Sequence, residues 1–239
     1  MFTRLTRIPD ERMHLILMII LTFTTGINDA VGYLGLDKVF TGNMTGNVVV
    51  LGMAIAGGSD LPVLGPAMAL VGFMVGAAVG GRVLRQQGRR WTTGTTVLFA
   101  TVALIMFGLA TTLFVVGEDP SKPTMVTVTT IAATAMGIQA AAARVVAVKD
   151  VTTVVVTSTI TGLAADSVLG SGNGSGTGRR IAAVVAIICG AGIGAAMLHV
   201  HMGAALLLAA VLICGVTVAG ATHDRQRNGR TAAAEQNQT

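Results

Sequence analysis

Thr41-Gly42-Asn43-Met44-Thr45-Gly46-Asn47 and, in the second half of the chain, Thr157-Ser158-Thr159-Ile160-Thr161-Gly162 decide how this sequence is read. Both are short, polar and glycine-broken, and both sit inside apolar sequence. Each follows a long apolar stretch and leads into a segment too short to cross a bilayer, Val48–Ala56 in the first case and Val154–Ala165 in the second. Irregular polar backbone at membrane depth is tolerated only where protein or a water-filled cavity satisfies its N–H and C=O groups. The matched pair predicts a duplicated membrane protein with something binding at, or passing through, its middle.

The rest of the composition agrees. A mean hydropathy of +0.74, with 52% hydrophobic and 11% charged residues, excludes an ordinary soluble domain. Stretches able to cross roughly 30 Å of hydrocarbon occur at Met13–Leu36, Leu61–Gly81, Thr92–Gly117, Thr124–Ala143, Ile181–Leu198 and Met202–Ala221. Arg4, Arg7 and Arg12 precede the first, as in a secretory signal. Its apolar run is longer than a signal's, and no small-residue cleavage site follows promptly, so a retained span is expected. Cys189 and Cys214 fall inside spans and read as small packing residues.

Charge sets the number of crossings. If both short segments dip in and return on one side, six spans leave fourteen of the sixteen Lys and Arg residues inside, with only Lys38 and Lys122 outside. Eight crossings would divide them almost evenly. A cytoplasmic excess of basic residues in short loops fixes orientation, so six crossings are expected, with both termini in the cytoplasm. The same loops account for a pI near 10 without nucleic acid. The expected layout is a cytoplasmic N-terminus (1–12), a first membrane repeat (13–117), an external connector (118–123), a second repeat (124–221) and a disordered cytoplasmic tail (222–239). A Gly/Ser linker is expected at Gly172–Gly178.

The halves align. Gly26-Ile27 matches Gly137-Ile138 at an offset of 111, Thr41-x-x-x-Thr45-Gly46 matches Thr157-x-x-x-Thr161-Gly162 at 116, and Gly76-x-x-x-Gly80 matches Gly190-x-x-x-Gly194 at 114. Three crossings per half turn the second copy upside down. Inverted repeats with short or broken helices at matching places are characteristic of transporters. The expected fold is thus an all-α membrane protein with six transmembrane helices and two short re-entrant or half helices, in a 3+3 inverted repeat. Gly72-x-x-x-Gly76-x-x-x-Gly80 and Gly190-x-x-x-Gly194 read as close helix-packing faces, which either join the repeats or form a homodimer.

Gly26-Ile27-Asn28-Asp29-Ala30-Val31-Gly32-Tyr33, followed by Val39-Phe40-Thr41-Gly42-Asn43-Met44-Thr45-Gly46-Asn47, resembles the YoaK-like family of bacterial multi-pass membrane proteins. In the second half, Gly137-Ile138-Gln139, Thr152-Thr153 and the Thr157–Thr161 stretch are similar too. Family members usually carry Gln-Asn where this chain has Gln139-Ala140, and Thr-Gly-Thr where it has Thr157-Ser158-Thr159. The resemblance covers nearly the whole chain and implies a class and a compartment, with no biochemical activity attached.

Asp29 is the sharpest single residue, about 15 positions into the first span. A carboxylate at a helix centre costs roughly 2.5–3.5 kcal/mol on insertion scales and reads as functional when intramembrane. As a proton or cation site it would take Asn28 as an amide partner, with donors from the Asn43 and Asn47 amides and the Thr41 and Thr45 hydroxyls. As a structural group it would reach interfacial water or cap a helix. Thr and Asn also suit the start of a half helix, where they accept from unpaired N–H groups. The candidate solute- or ion-binding set is Asn28, Asp29, Thr41, Asn43, Thr45 and Asn47 from the first half, with Gln139, Thr157 and Thr161 from the second.

Other polar positions are weaker. Arg144 and Asp166 stand at the cytoplasmic mouth either as an ion pair or as separate interfacial charges. His199-x-His201 offers two ligands, too few for a metal site. No nucleophile–base pair, phosphate-cradling loop, zinc signature or cofactor motif is present, so a non-enzymatic role is expected. The leading expectation is a transporter or channel in the cytoplasmic membrane for a small solute or ion, with proton coupling through Asp29. The alternative is a membrane scaffold or sensor whose glycine faces bind partner helices.

Overall fold

A computed structural model of the chain describes residues 9–58, 60–87, 90–146, 156–167, 170, 172 and 176–236. Among these are eight helices: α1 (Asp10–Gly35), α2 (Met44–Ile55), α3 (Leu64–Val83), α4 (Thr93–Val116), α5 (Lys122–Val146), α6 (Val156–Ala165), α7 (Thr177–Leu198) and α8 (Met202–Gln236). Six are long and apolar enough to cross a membrane, while α2 and α6 are short and apolar. The all-α membrane fold with six spans and two short helices is as the sequence predicts.

The helices pack in a pattern that crosses between the halves. Here α1 lies on α7, α3 on α5, and α4 on α8; α1 also meets α8, α4 meets α5, α2 rests on α3, and α6 on α7. Glycines make the two closest crossings. A Cβ on Gly26 would collide with the Ile187 carbonyl and the Ala191 N–H, and one on Gly137 with the Phe73 carbonyl and the Ala77 N–H. From the other side, Gly190 faces the Phe23 carbonyl and Gly194 faces Ile27, just as Gly76 faces the Thr134 carbonyl and Gly80 faces Ile138. Small residues let helix backbones touch where no hydrophobic driving force separates protein from lipid. These faces therefore join the two halves of one chain and are not presented to partner helices.

Outward surfaces suit hydrocarbon. Val71, Met74, Val75 and Val79 of α3, Leu104 and Val115 of α4, and Val185 and Ile188 of α7 are exposed. Many span threonines turn their hydroxyls back onto their own helix, as Thr101 does to the Val97 carbonyl at 2.9 Å, Thr111 to Phe107 at 2.9 Å and Thr134 to Thr130 at 2.8 Å. With the donor satisfied internally, threonine behaves as a β-branched apolar residue.

Four expectations are corrected. First, α2 starts at Met44 rather than Val48, because Asn43 caps it. Second, α8 runs to Gln236, so residues 222–236 are helical rather than a disordered tail. The extension is held against α1, where His223 Nε2 meets Asp10 Oδ1 at 2.8 Å and Arg227 Nη1 donates to Asp10 Oδ2 at 3.1 Å. Third, Cys189 and Cys214 are exposed rather than packed inside. Fourth, Asp166 pairs with Arg180 and not with Arg144 (below). Residues 173–175 of the expected Gly172–Gly178 linker, together with Thr152 and Thr153, lie outside the described residues, and α7 already begins at Thr177.

Candidate functional site

The site begins where α1 ends. Asp37 and Lys38 both adopt left-handed backbone, at φ 61° and 58°. Such conformations cost roughly 1–2 kcal/mol per ordinary residue. They turn the chain back along the helix it has just left. Val39 N–H bonds the Gly32 carbonyl at 3.3 Å, and a Cβ on Gly32 would strike the Val39 carbonyl. The returning strand passes beside Asp29, which lies six residues before the end of α1, roughly 9 Å along the axis at 1.5 Å per residue.

Asp29 gathers that strand. Its Oδ1 accepts from the backbone N–H of Gly42 at 2.6 Å, Thr41 at 2.9 Å and Asn43 at 3.4 Å, and from the Thr41 hydroxyl at 3.3 Å. Consecutive N–H groups converging on one oxygen form an anion nest at the start of a helix. The expected donors were asparagine amides and threonine hydroxyls. Main-chain groups take most of that role.

The asparagines shape the backbone instead. Asn43 is the N-cap of α2, with Oδ1 accepting from Gly46 N–H at 3.1 Å. Asn47 is fully buried and brackets Phe40, accepting from its N–H at 2.9 Å and donating to its carbonyl at 2.6 Å. Phe40 in turn stacks on Tyr33, with ring centroids 4.6 Å apart. The Thr-Gly-Asn motif is thus a folded unit that fixes the N-terminus of α2 against Asp29.

That N-terminus opens on a cavity of about 430 Å³, inside the roughly 300–1,000 Å³ range of small-molecule sites. Thr25 and Asp29 of α1 line it, with Asn43, Met44 and Thr45 at the start of α2 and Phe73 of α3. From the second half come Val156 and Thr157 at the start of α6 and Ile187 of α7. Both short helices therefore present their first residues to one space. Four of the nine candidate residues line it: Asp29, Asn43, Thr45 and Thr157. Thr41 stands behind Asp29, and Asn47 behind Phe40. Thr161 is exposed and donates to the Thr157 carbonyl at 2.9 Å, one turn from the cavity.

Asn28 and Gln139 lie in the core beside it. Both are fully buried. Gln139 Nε2 donates to Thr25 Oγ1 at 3.4 Å, and Asn28 Nδ2 to Met136 Sδ at 3.3 Å. Gln139 stands 111 residues after Asn28, and Met136 111 residues after Thr25. Asn28 Oδ1 and Gln139 Oε1 have no hydrogen-bond partner among the described residues. Thr25 was missed from the sequence, although it sits one turn before Asp29, on the same face at i, i+4 spacing.

A second cavity, about 540 Å³, is lined by Phe73, Ala77 and Gly81 of α3, Gln87, and Ala140, Ala141, Arg144 and Val145 at the end of α5. Phe73 borders both spaces. Ala140 stands 111 residues after Asp29, and no carboxylate lines the second space among the described residues. Arg144 lines it and is exposed. Asp166 is bound instead by Arg180, whose Nη1 reaches its Oδ2 at 2.6 Å and the Gly162 carbonyl at 2.7 Å, tying the end of α6 to α7. His201 stacks on Phe114, with centroids 4.6 Å apart, and accepts from Gly203 N–H at 3.0 Å. Among the described residues no group of three metal-ligating side chains converges.

Comparison with known proteins extends the resemblance drawn from the motifs. The family model described as "Protein of unknown function (DUF1275)" matches residues 17–219. The UPF0700 transmembrane protein YoaK of Bacillus subtilis (strain 168) is 32% identical over 151 residues, which is 63% of this chain. The match spans 65% of that relative's length. No solved structure matches. With the family model covering most of the chain, from the first span to the last, the protein belongs to the DUF1275 family of YoaK-like transmembrane proteins.

Proposed function

We propose that the protein moves a small solute or ion across the cytoplasmic membrane, with Asp29 at the binding site, and that it is not an enzyme. One observation carries this reading. Asp29 Oδ1 is held by the start of α2 at the edge of a cavity that the start of α6 also lines. A carboxylate retained among apolar spans, beside the ends of short helices, is how transporters build a substrate or coupling-ion site.

The two halves act as inverted repeats of three crossings with one re-entrant helix each, and both termini lie in the cytoplasm. The equivalent crossings of α1 with α7 and of α5 with α3 support this, as does the matched seating of α2 on α3 and α6 on α7. On this topology the Asp29 cavity belongs to the outer side and the Arg144 cavity to the inner side. Phe73 separates them, and rocking of one half against the other would open each in turn. Proton binding at Asp29 would couple the movement.

The test is uptake by liposomes holding the purified protein, with a solute panel and an imposed pH gradient. Wild type accumulates at least one solute. Asp29→Asn, which keeps the shape of the side chain, inserts normally and loses the pH-dependent component. Absence of flux across the whole panel, or pH-dependent flux unchanged in Asp29→Asn, overturns the reading.

A further inference from the structure

The geometry points to a monovalent cation as the species held at the Asp29 cavity. This deepens the transport reading and rests on the same site. Asp29 is the only charged side chain among the described residues lining the cavity. Its Oδ1 uses four donors, and among the described residues no hydrogen bond engages Oδ2. Two further acceptors nearby are unmet, Asn28 Oδ1 and Gln139 Oε1, on side chains with no exposed surface.

Both side chains stand behind the wall of the site and do not line the cavity itself. Gln139 donates to Thr25, which lines the cavity. Asn28 donates to Met136, whose Cε lies 3.3 Å from where a Cβ on Gly42 would stand, with Asp29 Oδ1 3.5 Å from the same point. The surroundings thus carry one negative charge and surplus oxygen acceptors. A cation in the cavity balances that charge, with Gln139 acting on it through Thr25.

The donor set narrows the class. A single carboxylate with neutral amide and hydroxyl oxygens is too weakly charged for a dedicated divalent site, and it offers no histidine or thiolate for a transition metal. An alkali-metal ion or a small ammonium head fits. An anion would meet the Asp29 charge with no compensating base.

Thermal unfolding of the purified protein in detergent tests this at constant ionic strength. NaCl, KCl, NH4Cl and methylammonium chloride are each exchanged against N-methylglucamine chloride. At least one is expected to raise Tm saturably, as a ligand of the folded state must. A response to Na+ or K+, with or without NH4+, marks a small inorganic ion, and a response to methylammonium alone marks an organic ammonium head. Asp29→Asn abolishes the shift, and Gln139→Leu weakens the midpoint concentration about tenfold. Gln139→Leu serves alone should Asp29→Asn not fold. Equal Tm in all salts means that water meets the acceptors and overturns the inference, as does saturable stabilisation retained in Asp29→Asn. A cation-dependent Tm without flux in liposomes removes the transport reading and leaves the site. Flux that ignores both the cation and Asp29→Asn does the reverse.

Discussion

Gly190→Ala adds one methyl group at the crossing of α1 and α7. Its Cβ would overlap the Phe23 carbonyl oxygen and lie 2.9 Å and 3.2 Å from Phe23 C and Cα. Ordinary contact for a Cβ begins at 3.4 Å. The obstacle is backbone, so no rotamer relieves it, and the helices must part by roughly 1 Å. A gap of that size forfeits about a quarter to a half of each dispersion contact it opens. Overpacking costs about 1–3 kcal/mol, and a main-chain clash belongs at the top of that range, about 3 kcal/mol. Gly192, two residues along the same helix, faces open space. There alanine gains about 0.5–1 kcal/mol from helix preference. Gly76→Ala, at the equivalent crossing against the Thr134 carbonyl, should match Gly190→Ala. Titrating dodecylmaltoside micelles with SDS while following helicity measures all three. Gly190→Ala as stable as Gly192→Ala would refute the close crossing, and a large difference between Gly190→Ala and Gly76→Ala would refute the equivalence of the halves.

Asp29→Ala leaves the N–H groups of Thr41, Gly42 and Asn43 without their acceptor. At the lower end of about 1–3 kcal/mol each, the loss is about 3 kcal/mol in the same SDS titration. Asp29→Asn keeps a neutral acceptor and should lose about half as much; no loss in Asp29→Ala would show that the nest does not depend on this carboxylate. Reporter fusions after Arg90 and after Thr239 should read cytoplasmic and one at Asp119 external, and an external C-terminal signal would end the six-crossing inverted repeat. Phe73→Ala should join the two cavities it borders and raise passive leak of small solutes from loaded liposomes. Unchanged leak would mean that Phe73 separates nothing that conducts.

The sequence made the membrane fold legible because polar, glycine-broken stretches stand out in apolar surroundings. The spaced glycines likewise marked close helix-packing faces, while the helix each one meets is seen only in the structure. The site was legible as a neighbourhood and less so as chemistry. Asp29 was found by its cost in lipid, but its partners are main-chain N–H groups, which any residue supplies and no letter marks. Asn43 takes the helix-start role expected of it and not the expected place as an amide donor to Asp29, and Asn47 folds the loop around Phe40. Arg180 was overlooked although it is nearer to Asp166 in sequence than Arg144 is; the seating of α6 on α7, which no spacing marks, brings it there. Helix beyond Ala221 was missed because the residues are polar; their partner, Asp10, lies at the other end of the sequence.

The central claim is that the Asp29 cavity is part of a path through the membrane. Single cysteines at Thr45 and Thr157, introduced into a Cys189→Ser, Cys214→Ser background, test it most directly. Both positions line that cavity, one from each half of the chain. An impermeant methanethiosulfonate reagent is applied to sealed vesicles of right-side-out and inside-out orientation. The account predicts that both positions are modified from both sides, because alternate opening exposes the cavity to each in turn. Modification from one side only, or from neither, would make the cavity a blind pocket and contradict transport.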